Sequence, residues 1–160
     1  MAALLTSAVQ ESARRSVLCW LATADENGQP NVSPKEIFAV ADNEHIVVAN
    51  IASPGTAKNI RVNAAVCLSF IDVFVQKGFK VIGIATDVEP STPEFSKWAE
   101  PLRAMVQDRF PISSVFVIRA IAVERIIAPS YRLHPSETTE ESQVQSALST
   151  YGVNRVDAPA

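Results

Sequence analysis

Residues 50–80 carry Lys58, Arg61, Lys77 and Lys80 against a single carboxylate, Asp72, a local balance of +3 in a protein whose formal net charge is -3. Positive charge gathered inside an acidic chain suits an anionic ligand. At the head of this stretch, Ser53-Pro54 has the form of a helix N-cap followed by a first-turn proline, which leaves backbone N–H groups near Gly55 and Thr56 without intrahelical acceptors. Gly55 permits close approach, Thr56 offers a hydroxyl and Lys58 adds an ammonium at the same pole, together a cradle for phosphate. An ordinary capped helix with a solvated lysine accounts for the same residues equally well. A second group lies upstream, in Asn31-Val32-Ser33-Pro34-Lys35, where strand alternation puts Asn31, Ser33 and Lys35 on one face. That face is either the solvent side of an antiparallel strand or a polar wall toward a ligand. Lys80, between Phe79 and Val81 and ahead of Gly83, is open to the same two readings.

Other chemistries find little support. His45 and His134 have no second His, Cys or carboxylate at ligand spacing, so no metal site is expected. Cys19 and Cys67 sit in apolar runs and fit small core side chains better than nucleophiles or disulfide partners, which points to a reducing compartment. Ser33 and Ser53 lack a G-x-S-x-G turn and a His partner, so acyl transfer is not expected. No catalytic side chain is assigned. Glu137, Glu140 and Glu141 form an acidic run best explained as the negative first turn of a helix.

The elements that must position these groups follow from periodicity. Leu4, Leu5, Ala8 and Val9 recur at helical spacing ahead of an apolar strand at 17–24. Asp25-Glu26-Asn27-Gly28 supplies hairpin turn chemistry. The returning strand, 31–40, contains Pro34, which cannot donate to a ladder and belongs at an edge, a bulge or under a ligand. Further strands are expected at 46–51, 64–70, 79–88 and 114–127, with a short helix through Ala57 and Ile60. Ser91-Thr92-Pro93-Glu94 has the pattern of a capping box opening a helix whose stripe is Phe95, Trp98, Ala99, Leu102 and Val106, bent or split by Pro101. Thr138 or Thr139 caps a last helix that Gly152 stops.

Strands joined by short turns with only short helices between them give a mainly β fold, a small β-barrel with short flanking helices, in place of βαβ units. A chain of 160 residues with 48% hydrophobic and 19% charged residues is one ordinary domain with a core, here residues 1–130, followed by a tail helix in 131–160 that packs on the barrel or on a dimer partner. Fourteen basic against seventeen acidic residues argue against nucleic acid and anionic membrane as partners, and no leader or membrane-spanning run is visible. A cytoplasmic protein with a small-molecule partner is the expectation.

The order of these pieces resembles the pyridoxamine 5'-phosphate oxidase-like family of split β-barrel proteins that bind flavin mononucleotide (FMN). The resemblance runs from about residue 17 to 85, through LATADENGQP, NVSPK, SPGTAKNIRVNAAVCLSF and KGFKVIGIA. It implies an FMN-binding split barrel, a homodimer and a flavin site at Lys35, Ser53, Thr56, Lys58 and Lys80, with Ser33, Asn50, Asn59 and Lys77 as neighbours. It further implies a flavin-dependent oxidoreductase drawing electrons from a reduced nicotinamide (NAD(P)H) or a reduced deazaflavin, or alternatively a non-catalytic flavin carrier or sensor. A third reading keeps the barrel as a subunit scaffold with its lysines solvated. Three departures set the chain apart from the founding oxidase: Pro54-Gly55 stands where an Arg-Lys pair follows the Ser, Lys77-Gly78 replaces Arg-Gln, and no tryptophan follows Trp98. Oxidation of vitamin B6 is therefore not the first choice of reaction.

Overall fold

In a computed structural model, residues 4–107 and 109–156 are described. The first hairpin forms where the turn chemistry asks for it. Asp25 Oδ1 accepts the N–H groups of Asn27 and Gln29, both at 2.9 Å, and Gly28 takes the left-handed φ of +78° that closes the turn. This joins β1 (Cys19–Ala24) to β2 (Pro30–Lys35), in antiparallel register from Cys19 opposite Lys35 to Ala24 opposite Pro30.

The expected strand 31–40 is two strands, which corrects the sequence reading. After β2 the chain bends at Glu36 and Ile37 and resumes as β3 (Phe38–Val40), paired with β4 (His45–Asn50). The remaining strands are β5 (Ala65–Asp72), β6 (Lys77–Val88) and β7 (Ser114–Ile127), and the seven pair antiparallel in the order β2-β1-β5-β6-β7-β4-β3. The two rims of the sheet, β2 and β3, are thus separated by two residues of chain. Such a link cannot span an open sheet of seven strands about 4.8 Å apart, so the sheet curls until its rims meet. Pro34, without an N–H, stands on the rim strand, where no outer neighbour is missed. The result is the mainly β, split-barrel architecture expected from the sequence.

Inside the curl lie Leu21, Phe38, Leu68, Phe70, Val81, Phe116 and Ile118, with the Phe38 and Phe70 rings 6.1 Å apart, closed by Leu5, Val9 and Ala13 on and beside α1 (Ser7–Arg15). β4 is buried on both faces. Its Ile46 and Val48 point inward, while Val47 and Ala49 pack with Val115 and Val117 under Ala99 and Leu102 of α3 (Phe95–Val106). Opposite Ile82 and Gly83 the register skips Ile121, a one-residue bulge in β7, and Gly83 is required there because a Cβ would lie 2.6 Å from the Arg119 carbonyl oxygen.

The capping box expected at 91–94 does not form. Thr92 instead turns back on Glu89, its hydroxyl donating to the carbonyl at 2.8 Å, and the helix starts at Phe95. Pro101 does not split α3, which is continuous to Val106. The chain closes with α4 (Ser130–Leu133), which periodicity did not reveal, and α5 (Glu140–Tyr151), where Thr139 and Ser142 form a reciprocal capping box and Gly152 terminates with φ +65°. This tail lies on the β5–β6 hairpin: Tyr131 Oη donates to the Val75 carbonyl at 2.8 Å, and the Tyr151 ring meets Phe74 edge-on at 6.2 Å. No helix among the described residues is long and apolar enough to cross a membrane.

Candidate functional site

Seven polar residues are buried as a whole among the described residues, and all but Ser16 converge on one place, the seam where the two rims meet α2 (Pro54–Val62). They are Thr23, Lys35, Asn50, Thr56, Asn59 and Ser114. Asn59 Nδ2 donates to Thr23 Oγ1 at 3.1 Å, Asn31 Nδ2 lies 3.4 Å from the same oxygen, and the Ser33 and Thr56 hydroxyls share a hydrogen bond of 3.0 Å. Asn50 spans the next step, its Nδ2 donating to Ser114 Oγ at 2.9 Å and its Oδ1 accepting from the Ser53 N–H at 3.1 Å. Lys35 Nζ donates to Ser53 Oγ. Strand β1 reaches this network because Thr23 follows Cys19 and Leu21 on the inward face. A polar residue in that apolar register is the signal that sequence reasoning passed over. Ser114, at the very start of β7, carried no such signal.

The electrostatics centre on Lys35. The residue is 7% exposed, and among the described residues it has no carboxylate partner; besides the Ser53 hydroxyl it faces the Phe116 ring, 5.8 Å from the centroid. Burial pushes its pKa below the 10.5 of a free lysine. Cys19, opposite Lys35 in the strand register, is pushed by burial to about 12 against the opposing pull of that ammonium, so its thiol stays protonated and acts as core.

Ser53 takes the N-cap position of α2, but its hydroxyl is engaged by Lys35 and makes no capping bond, and the first turn carries no acidic residue. The first-turn amides therefore face outward beside exposed Gly55 with no side-chain anion of their own. Beside Lys35 and Ser53 opens a cavity of about 430 Å³ walled by Pro34, Ile51, Met105 and Phe110. That volume suits a small organic molecule.

Of the nine residues singled out from the sequence, Ser33, Lys35, Asn50, Ser53, Thr56 and Asn59 come together here. The other three do not join them within one chain. Lys58 is exposed on the outer side of α2. Lys77, at the hairpin end of β6, donates to Glu140 at 2.7 Å and lies 4.3 Å over the Tyr131 ring. Lys80 pairs with Glu124 across β6 and β7 at 2.7 Å, which raises its pKa. β1 and β5 stand between these two lysines and β2 in the sheet. His45 is tied locally to Asp42 at 2.9 Å. A further polar feature was not foreseen: Asp87, with its side chain 2% exposed, accepts from Arg61 of α2 at 2.7 Å and keeps one oxygen without a partner among the described residues.

A curled antiparallel sheet with a buried cation at its seam defines a protein of the split-barrel class. The family model described as pyridoxamine 5'-phosphate oxidase matches residues 5–128, and the chain belongs to that family. The HupZ protein of Group A Streptococcus shares the fold at a TM-score of 0.66, with 21% identity over 77% of this chain and 94% of that one. A provisionally assigned pyridoxamine 5'-phosphate oxidase from Lactobacillus delbrueckii gives 0.64, with 24% identity over 77% and 95%. An FMN-binding protein from Syntrophomonas wolfei gives 0.64, with 16% identity over 76% and 85%. HutZ, the heme storage protein from Vibrio cholerae, has the same fold at 0.57, with 21% identity over 77% and 94%. No curated protein matches the chain.

Proposed function

We propose that this protein is a homodimeric, FMN-binding oxidoreductase acting on a small molecule, with the seam cluster as its flavin site. The observation that carries this reading is Lys35, a buried ammonium held by one hydroxyl and lacking a counter-ion among the described residues. Burying such a charge is costly unless something compensates it, and an anionic ligand does so. The donors present fit FMN: Lys35 for the electron-accepting end of the ring, and the uncapped first turn of α2 with Ser33 for the phosphate. When bound, the flavin supplies the redox chemistry; the chain's part is to bind it, orient it and set its electrostatics. A fixed cation beside the ring favours the anionic reduced form and so raises its potential. A reduced nicotinamide is the proposed electron donor.

The outer face of the sheet supports a second copy. Val32, Ala22, Cys67 and Ile82 stand opposite one another on β2, β1, β5 and β6, and Val32 is 57% exposed, with Trp20 at 44% beside it. A continuous apolar row of this kind on a chain with ample charge elsewhere is an interface, and Lys80 borders it, so the reading assigns Lys80 to a site shared between copies.

The test is flavin binding itself. The purified protein is expected to be yellow or to gain thermal stability with FMN, and Lys35→Met to lose that gain while remaining folded. A colourless protein that FMN neither stabilises nor binds sinks the proposal. Anaerobic mixing with NADPH separates the oxidoreductase from the carrier or sensor: bleaching of bound flavin supports the enzyme, and flavin that stays oxidised supports the carrier.

A further inference from the structure

A second cavity, of about 420 Å³, opens between α1, the β5–β6 hairpin and the end of β7, lined by Arg15, Lys77 and Arg125. Its three carboxylates, Glu11, Asp72 and Glu140, equal its three cations in number but do not pair with them one to one. Arg15 is taken by Glu11 on its own helix at 2.8 Å. Asp72 is committed to its turn, where Oδ1 accepts the N–H groups of Phe74 at 3.0 Å and Val75 at 3.3 Å. Among the described residues Lys77 has one carboxylate partner, Glu140, which arrives from the first turn of α5, and Arg125 has no ion-pair or hydrogen-bond partner. Val75, Phe79 and Ile126 provide an apolar wall beside these charges.

We infer that this cavity binds a small organic anion, an acid group on an apolar body, held by Arg125 and Lys77, and that Glu140 stands in for the ligand's acid when it is absent. The tail then serves as a latch. Its seat on the hairpin consists of the Lys77–Glu140 pair, the Tyr131 hydroxyl on the Val75 carbonyl and the edge contact of Tyr151 with Phe74, and only Ala147 of α5 is buried. An incoming anion competes with Glu140 for Lys77 and so frees α5 from the hairpin. Competition is reciprocal: the factor by which the closed latch weakens ligand binding is the factor by which bound ligand weakens the latch.

Phenyl phosphate, titrated calorimetrically into the full chain, tests this. Wild type is expected to bind, Arg125→Ala to lose at least about tenfold in affinity, and Glu140→Gln to gain about fivefold or more, the low end of ordinary coupling between sites. Hydrogen exchange in residues 140–151 should quicken in wild type on adding the probe. Equal affinity in all three proteins, or no binding by any of them, overturns the inference. Loss of binding in Lys35→Met with retention in Arg125→Ala also overturns it, because the probe then occupies the seam. If Arg125→Ala fails to fold, Arg125→Gln at the same exposed position carries the same expectation. The outcome is independent of whether the seam binds FMN.

Discussion

Lys35 is where stability and binding pull in opposite directions. A buried ammonium without a counter-ion among the described residues destabilises the fold, so Lys35→Met, which keeps the aliphatic stem and removes the charge, is expected to raise the melting temperature of the ligand-free protein while lowering FMN affinity by at least about tenfold, the size of one lost charge-assisted hydrogen bond. Calorimetry and flavin fluorescence titration measure the two effects separately. The sign of the pH dependence follows from the lowered pKa: between that value and 10.5 the unfolded chain holds a proton that the folded chain has released, so stability rises with pH across that window. Equilibrium unfolding of wild type against Lys35→Met between neutrality and pH 10 checks this, and FMN affinity should fall over the same range as the ammonium is lost. Asp87 behaves differently, since its partner is real. Arg61→Ala strands that carboxylate, at a cost of about 2 kcal/mol, below the full penalty for a buried pair because Arg61 is half exposed and Glu89 shares it, and urea denaturation reads the loss. The cluster was legible in the sequence where polar residues alternate in a strand, as in Ser33 and Lys35, or mark a helix start, as in Ser53. It was illegible where tertiary pairing decides: Thr23 joins because β1 packs against α2, Ser114 because β7 pairs with β4 at Asn50, and Lys77 is drawn away by a tail about sixty residues downstream.

At the scale of elements, local chemistry proved a good guide to turns and a poor one to continuity. Asp25 through Gly28 specified their hairpin because the side chain and the glycine satisfy that backbone by themselves. The split of 31–40 into β2 and β3 could not be foreseen from alternation, since both halves are extended and only their partners, β1 and β4, stand toward opposite ends of the strand order. Ser91 and Glu94 matched a capping pattern, yet Thr92 bonds to Glu89 first, a local turn outcompeting the helix start. Gly83→Ala tests the bulge. The added methyl meets backbone at 2.6 Å and β-carbon contacts that close force β6 from β7, so a loss of about 3 kcal/mol is expected in thermal or urea unfolding, within the range for overpacked interiors. Thr139→Ala removes the α5 cap, worth about 1 kcal/mol to the helix. Because α5 buries only Ala147, that loss should appear as faster amide exchange in 140–151, with little change in the melting temperature of the barrel.

For the whole molecule, the apolar outer row fixes the expectation for assembly. Trp20→Glu places a charge directly beside it without touching the core, and sedimentation should show the protein shifting from dimer to monomer; a wild type that sediments as a monomer argues against a second copy. The mainly β class was legible because apolar runs of strand length recur between turn residues, whereas closure of the sheet depends on which strands end up at its rims, and no local pattern encodes that. The brevity of the Glu36–Ile37 link has a consequence for how the chain comes to be folded. On the ribosome β1 and β2 can pair as soon as they emerge, but β4, which holds β3, finds its other neighbour only after β7 has been made, more than sixty residues later. The polypeptide must wait, half wound, with Ile46, Val47 and Val48 uncovered, until the last strand arrives to draw the seam shut. Folding should accordingly be slow for a protein this small, and any ligand seated at that seam would act late, fastening a cylinder whose order of assembly was already decided.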